Sequence, residues 1–464
     1  MTDSTASLPI AVIGAGPIGL AAAAHLIERG LPVKLYESGA TVGANLRDWG
    51  HVRIFTPWEH NVDRAAQAIL ERHGWRMPDP NALPTGDDLC DLYLDPLART
   101  AELAPVIETS ARVVAIARQG LDKMTSRQRE TKPFEITVER PDGTRRRDLA
   151  RAVIDASGTW NQPNPIGASG LPADGEAEHA DRIAYGMPDV LGRDRPYHAG
   201  QRTLVIGAGY SAANVLLDLI RLAAEAPGTG VDWMVRGTSL AKVYGGGDAD
   251  ELPARGALGW HLKEAVENGR IALTSGFAAT RLREEGRGLW LDGETAQGPR
   301  SLGPFDRIVV ATGQRPDLAM TRELRLELDP WLEGVKALGP LIDPNLHSCG
   351  SVPPHGHREV GHPEAGFYTV GVKSYGRAPT FLLLTGYEQV RSVAAALAGD
   401  MVAADDVKLT LPDTGICEGN PYEQFSVAEA CCVPAPAATA ACCAPAPVAV
   451  KPEKKSCCGS GVAA

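Results

Sequence analysis

Six of the nine cysteines in this 464-residue chain stand as adjacent pairs near its C-terminus: Cys431-Cys432, Cys442-Cys443 and Cys457-Cys458. Thiolates select soft acceptors. Directly adjacent thiolates point apart, which disfavours zinc or iron–sulfur ligation at its usual Cys-x2-Cys spacing. Vicinal pairs instead suit trivalent arsenic, mercury and similar species. The intervening Ala, Pro, Val and Lys cannot bury a core, so residues 426–464 are expected to form a disordered tail. Three readings stay open for it: thiols with no specific role, a zinc or iron–sulfur site, or capture of a thiophilic ion or compound. A flexible tether would raise the local concentration of captured cargo. On that last reading the six cysteines are the metal-ligating candidates.

A second kind of chemistry is written in glycines. Residues 9–37 read PIAVIGAGPIGLAAAAHLIERGLPVKLYE. An apolar strand runs into Gly14-x-Gly16-x-x-Gly19, an alanine-rich helix follows, and a second strand ends at Glu37. Gly14 allows the tight turn, Gly16 lets backbone approach a pyrophosphate, and Gly19 lets helix and strand pack closely. The helix N-terminus offers N–H groups to phosphate, and Glu37 is placed to bind ribose hydroxyls. Residues 202–236 repeat the pattern as Gly207-x-Gly209-Tyr210-Ser211-Ala212, with alanine at the third position. There the second strand ends at Arg236. An acid would repel a 2′-phosphate and Arg236 would pair with it, which favours NADP over NAD; the plain alternative is a solvated strand-end charge.

These turns need parallel sheets to hold them, and the composition permits such a core. The hydrophobic fraction is 44%, glycine is abundant at 50 residues, and the net charge is −11. That charge argues against nucleic acid or anionic membrane as partner. No apolar run of about 18 residues suggests a membrane span. The N-terminal MTDSTASLP lacks the features of a signal peptide, so a cytoplasmic, reducing setting is expected.

Two fingerprints in one chain resemble the FAD- and NAD(P)H-dependent flavoproteins with two dinucleotide-binding domains. That group includes flavin-containing monooxygenases, thioredoxin reductases and the pyridine nucleotide–disulfide reductases. RAVIDASGTWNQPNPIG (151–167) is similar to the group's A-[TS]-G turn at the exit from the FAD domain, with Gly158 in it. FDRIVVATGQRPDL (305–318) is similar to the turn where the chain returns, with Gly313 in it. Residues 366–399 take the place of the closing FAD segment, with Gly371-Val372 where the group has Gly-Asp. The resemblance covers residues 8–400. It implies an α/β fold with two Rossmann-like domains, the NADP domain nested in the FAD domain: FAD-binding 1–198, NADP-binding 199–303, FAD-binding completion 304–425, then the tail. FAD and NADPH are the implied cofactors. Gly14, Gly16, Gly19, Glu37, Val113, Gly158, Gly207, Gly209, Ser211, Ala212, Arg236, Gly313 and Gly371 are the cofactor-binding candidates. Residues 132–157 read as two strands around a Pro141-Asp142-Gly143 turn, with Arg145–Arg147 as a solvated face.

Flavoproteins of this layout run two chemistries. Hydride transfer to a disulfide needs a redox cysteine pair, and none lies after the first fingerprint or within 199–303; Cys90 and Cys349 are single. Oxygen transfer from reduced flavin to a substrate needs no cysteine, since the cofactor carries the hard chemistry. By resemblance, WGHVRIFTPWEHNVD supplies flavin-facing residues, and Arg53, Thr56, Trp58 and Asn61 are the catalytic candidates; alternatively the loop simply packs on the FAD domain. The monooxygenase signature F-x-G-x-x-x-H before the second fingerprint is absent, which leaves an oxidase or reductase open. His355, His357 and His362 read as a polar loop near the active site rather than a metal site. Joining both halves, the chain looks like the flavin monooxygenase-like proteins of bacterial arsenic resistance. The alternatives are a monooxygenase of a small N- or S-containing metabolite, or a reductase using the tail thiols.

Overall fold

The protein is described by a computed structural model covering residues 7–245, 253–344 and 352–409. The six paired cysteines and Cys349 lie outside the described residues.

The first fingerprint sits on a five-stranded parallel sheet. Its strands are β1 (Ile10–Ile13), β2 (Val33–Tyr36), β3 (Ile107–Glu108), β7 (Ala152–Asp155) and β16 (Phe367–Thr369), in the order β16-β7-β1-β2-β3. Strand β1 is fully buried because sheet neighbours flank it on both sides; Ile13 lies opposite Tyr36 and Asp155. Apolar runs without alternation are what a parallel sheet covered on both faces requires. The helix Pro17–Glu28 is buried from Pro17 through Leu26, between this sheet and the helices Arg64–Arg72 and Leu383–Leu397. Its four consecutive alanines let those neighbours approach.

The second fingerprint repeats this plan. A parallel sheet holds β8 (Ile183–Tyr185), β9 (Arg202–Ile206), β10 (Gly230–Met234), β11 (Ala272–Thr274) and β15 (Arg307–Val310), in the order β11-β10-β9-β15-β8. Ile206, ending β9, lies opposite both Met234 and Val310. The helix Tyr210–Glu225 buries Val215, Leu216 and Leu219 against it. The span 199–303 encloses β9 to β11, while β8 and β15 lie on either side of it. A central parallel strand needs a partner on each flank, and β15 is the one available to β9.

Two antiparallel three-stranded sheets complete the architecture: β4 (Arg112–Arg118), β5 (Phe134–Glu139), β6 (Arg145–Ala150), and β12 (Ala278–Glu285), β13 (Gly288–Thr295), β14 (Gly298–Phe305). The basic run on β6 is not uniformly solvated as the sequence suggested. Side chains alternate along a strand. Arg145 and Arg147 are exposed, while Arg146 bonds the carboxylates of Glu108 and Asp148.

A buried latch joins β4 to the approach to β16. Glu364, 2% exposed, accepts from Arg118 Nε at 2.7 Å and from Arg129 Nη2 at 2.7 Å, and also from the Arg325 amide at 3.0 Å. Burial alone would raise its pKa, but the hydrogen bonds from Arg129 and Arg118 outweigh that, and the carboxyl titrates below its usual range. Among the described residues, no helix is long and apolar enough to cross a membrane.

Candidate functional site

Each fingerprint turn is wedged against one of the A-[ST]-G turns. Gly14 has φ +94°, and a Cβ there would sit 2.7 Å from the Ala156 carbonyl oxygen. Gly207 has φ +140°, and a Cβ would sit 2.2 Å from the Ala311 carbonyl oxygen. A Cβ on Gly19 would come within 1.8 Å of the Gly14 carbonyl oxygen, so helix and strand touch there backbone to backbone. Ala212, fully buried, fills the equivalent place in the second turn, and Ser211 beside it is half-buried.

The middle glycines differ in kind. A Cβ on Gly16 or Gly209 would meet no protein atom within 4 Å. Both residues cap the starts of long helices that have no side-chain cap. Free space, bare backbone and an uncapped helix start together fit a dinucleotide pyrophosphate. Glu37 is buried; its carboxylate accepts from the Ala15 and Gly39 amides, each at 2.7 Å. Its remaining lone pairs fit ribose hydroxyls, since a carboxylate has about four acceptor sites. In the second domain, Trp233 braces the turn by donating from Nε1 to the Gly207 carbonyl at 2.7 Å. Arg236, exposed just past β10, donates to the Ala168 carbonyl at 2.8 Å and keeps other donors unspent. Val113 packs with Ile13 and Tyr36 in the core.

The catalytic candidates occupy one loop, and most of their polar atoms are committed within it. Thr56 Oγ1 donates to Asn61 Oδ1 at 2.9 Å, and Asn61 Nδ2 donates to the Thr56 and Pro57 carbonyls. Both residues are buried, and Trp58 is part of the first domain's core. This ring of bonds shapes the loop. Arg53 is exposed and donates to the Leu83 carbonyl at 2.7 Å. The loop nevertheless meets the second domain: the Phe55 ring packs edge-on against Tyr210 at 5.5 Å, at the start of the second nucleotide helix.

Several site residues were missed in sequence. The closing segment turns at Gly371 (φ +69°) into the short helix Val372–Tyr375, and Gly158 lies beside Val372. Gln389 Oε1 accepts from the Gly371 amide at 2.8 Å, and its Nε2 faces His355 Nε2 at 3.1 Å. Lys373 reaches back to Asp155 and Ser157 at the end of β7. No local motif marks these residues, because the partners lie far apart in the chain. The two crossings between domains also pair, at Pro163 with Gln314; Asn164 donates to the Thr312 carbonyl just before Gly313.

Beside the first crossing opens a cleft of about 450 Å³ between the domains. Asp48 and Trp160 line it from the first domain; Tyr185, Arg193, Asp194 and His198 line it from the second. Asp48 accepts from Trp160 Nε1 at 2.9 Å. His198 is fully buried, its Nε2 has no partner among the described residues, and burial lowers its pKa to about 4. An unfolded histidine takes its proton near pH 6.5, so between pH 6.5 and 4 the unfolded chain binds protons that the native His198 refuses. Its stabilising contribution is therefore present above pH 6.5 and lost as pH falls towards 4, by roughly 3 kcal/mol at most. We expect Tm to decline over that window, and His198→Gln to flatten the decline when Tm is followed against pH.

The three histidines of the glycine-rich loop diverge. His355 is buried against Gln389 and Tyr375, His357 pairs with Asp405 at 2.9 Å, and His362 meets Thr369 Oγ1 at 2.9 Å. Among the described residues, no group of three His, Cys, Asp or Glu side chains could hold a metal ion. Cys90 is the one cysteine among the described residues; it is buried, and burial pushes its pKa up to about 12 against the opposing effect of Arg47.

Two wedged glycine turns on twin parallel sheets, one domain nested in the other, define a flavoprotein with two dinucleotide-binding domains. Residues 8–336 match the pyridine nucleotide-disulphide oxidoreductase family, and the chain belongs to it. It is an FAD-dependent oxidoreductase that draws on NAD(P)H. No curated protein matches the chain. Among solved structures it is similar to the bacillithiol disulfide reductase of Bacillus cereus (17% identity, 84% of this chain and 99% of that one, TM-score 0.62). It is also similar to the ornithine hydroxylase PvdA of Pseudomonas aeruginosa (16%, 85% and 99%, TM-score 0.57). A third likeness is to FAD-bound DfoA, the cadaverine monooxygenase of Erwinia amylovora (14%, 84% and 94%, TM-score 0.56). These likenesses share the fold.

When bound, FAD accepts reducing equivalents from the nicotinamide and passes them on. The chain's own residues bind and orient. The uncapped helix starts at Gly16 and Gly209 would hold the two pyrophosphates, and Glu37 would hold the ribose. The loop from Thr56 to Asn61 is held by its own hydrogen bonds, with Trp58 anchored in the first domain's core.

Proposed function

We propose that the chain is an NADPH-dependent flavin monooxygenase acting on a soft nucleophile, with trivalent arsenicals as the substrate class. One observation carries the reading. Among the described residues the only thiol is Cys90, buried and with its pKa pushed up to about 12, so it supplies no thiolate for an internal disulfide relay. Electrons that reach the flavin then leave to an acceptor outside this core, and molecular oxygen is the one proposed. One oxygen atom enters the arsenical, which loses its lone pair and becomes pentavalent; the other leaves as water, with NADPH supplying both electrons. Arg236 supports NADPH over NADH. The paired cysteines Cys431 to Cys458, outside the described residues, deliver the arsenical.

Balanced turnover tests this. Consumption of NADPH and oxygen should match formation of the pentavalent product, with little hydrogen peroxide. Removing residues 429–464 should raise KM for the arsenical and leave FAD content unchanged. Stoichiometric peroxide with every trivalent arsenical would sink the reading, and unaltered kinetics after truncation would sink the delivery role.

A second reading has its own support. The interdomain cleft brings Asp48 and Asp181 to the aromatic rings of Trp160 and Tyr185, while Asp194 there is paired with Arg193. Carboxylates with aromatic faces favour a cationic amine, and two structural neighbours are a cadaverine monooxygenase and an ornithine hydroxylase. On this reading a small amine is oxygenated and the tail buffers metal.

A further inference from the structure

Three buried side chains from separate stretches of the chain close a hydrogen-bonded ring behind Gly371. Gln389, Ser374 and His355 are each at most 1% exposed. The Gly371 amide donates to Gln389 Oε1 at 2.8 Å, and Ser374 Oγ donates to the Gly371 carbonyl at 2.7 Å. Gln389 Nε2 lies 3.0 Å from Ser374 Oγ and 3.1 Å from His355 Nε2. His355 Nδ1 lies 3.0 Å from the Pro353 carbonyl oxygen.

The protons of this ring follow from which groups can only give. A backbone N–H only donates, so the Gln389 atom facing Gly371 is its oxygen. The other end of the amide is then an NH2, with two hydrogens and no acceptor capacity. Ser374 has one hydroxyl hydrogen, committed to the Gly371 carbonyl, so it accepts from Gln389. His355 Nε2 must accept as well, which puts the single ring proton on Nδ1, where the Pro353 carbonyl takes it. One neutral tautomer satisfies every partner.

Burial pushes the His355 pKa below the usual histidine value. It outweighs Glu359 on the same loop and Glu388 on the helix Leu383–Leu397, which favour the charged form. Glu359 is engaged by the Gly356 amide and Glu388 by Arg391; His357 and Arg358, next along the loop, pair with Asp405. From the short helix Val372–Tyr375, the Tyr375 hydroxyl faces Nε2 at 3.4 Å. A proton added at Nε2 sets two donors against each other across 3.1 Å. Turning the Gln389 amide over relieves that clash only by aiming its NH2 at the Gly371 amide.

The ring matters for what Gly371 touches. A Cβ on Gly371 would sit 3.3 Å from Ile18 Cγ1, and one on Gly386 would sit 2.5 Å from Ile18 Cδ1. The closing segment thus grips Ile18 at two points. Ile18 is the second residue of the helix whose uncapped start would hold the FAD pyrophosphate.

We propose that His355 is a positioning residue for FAD. As the neutral Nδ1–H tautomer it orients Gln389, Gln389 holds Gly371, and Gly371 keeps the first nucleotide helix in place. Protonating His355 loosens FAD. The inference rests on FAD binding alone and not on oxygen transfer or arsenic. The sign follows from the lowered native pKa: the grip is whole above the ordinary histidine pKa of about 6.5 and is lost as pH falls through the native value.

The test is the rate of FAD release from the holoenzyme. Flavin fluorescence follows it after jumps from about pH 7 to values down to about 4.5, with circular dichroism reading the fold at each pH. Wild-type release should accelerate at least tenfold over that range. His355→Gln, whose oxygen can accept from Gln389 without titrating, should release FAD at one slow rate throughout. Gln389→Glu should invert the response. One carboxylate oxygen still accepts from Gly371 and the other now accepts from the protonated ring, so release slows as pH falls. His198 titrates in all three proteins and cancels in the comparison. A merely structural contact predicts faster release in both variants at every pH, with the wild-type slope kept. That result, or a wild-type rate indifferent to pH, would overturn the proposal. If His355→Gln does not fold, Gln389→Glu alone decides: an inverted response supports the proposal, and a flat or wild-type one overturns it.

Discussion

Replacing Gly19 with valine should leave the purified protein without flavin. The first carbon added would lie 1.8 Å from the Gly14 carbonyl oxygen and 3.0 Å from its carbon, and both atoms are backbone. Gly14 cannot retreat, because the Ala156 carbonyl is already against it and its amide donates to the Tyr36 carbonyl at 2.8 Å. The helix Pro17–Glu28 must therefore lift from β1, taking its uncapped N-terminus away from the phosphate position. Overpacking of this kind costs about 1–3 kcal/mol or more, and the stability normally lent by bound FAD is lost with it. Flavin absorbance and protein concentration of the purified variant read the result; a normal FAD-to-protein ratio would refute it. Gly16→Ala separates the two effects. Its Cβ meets no protein atom, so the apoprotein should keep its Tm while FAD affinity falls by tenfold or more.

Glu364→Leu should destabilise the protein by about 3–5 kcal/mol, the cost of stranding buried charges. Arg118 and Arg129 both point at this carboxylate, with side chains 2% and 5% exposed, and Glu364 is the one carboxylate each of them bonds. For a chain of this size the loss lowers Tm by about 5 °C. Its acid dependence has a definite sign. The native pKa lies below the unfolded value, so the latch stabilises fully above the ordinary glutamate range and fades as pH drops through the native pKa. Thermal melts at neutral pH would show no deficit if the latch were dispensable.

Legibility in the sequence followed the distance between partners. Gly14, Gly16 and Gly19 are neighbours in the chain, and their packing depends on local backbone, so the tight turn and the close helix–strand approach could be read directly. The same holds for Gly207, Gly209 and Ala212. Both crossings carry their own glycine turns, at Gly158 and Gly313, which is why they stand out in the sequence. The edge of the second sheet was not: β8 is only three residues long and pairs with β15 across more than a hundred residues. Residues 53–61 show a different limit. Thr56 and Asn61 bond each other and Trp58 faces the core around the short 3-10 turn Trp58–His60, because buried polar groups outside a sheet must find partners locally, and residue types alone do not show such pairing. Lys373 drew no notice because a lone lysine in a helix is ordinarily a surface residue; only the fold brings Asp155 to it.

The nesting also orders assembly on the ribosome. The second sheet has all its strands once residue 310 has emerged, whereas the first, begun at residue 10, lacks its edge strand until residues 367–369 arrive. The domain started first is thus finished last. Until then the nascent chain holds a complete inner domain behind an unfinished outer one, with the β7 edge unpaired and open to wrong partners. A chain that stops between residues 320 and 366 forfeits the flavin site while keeping every strand of the domain made after it.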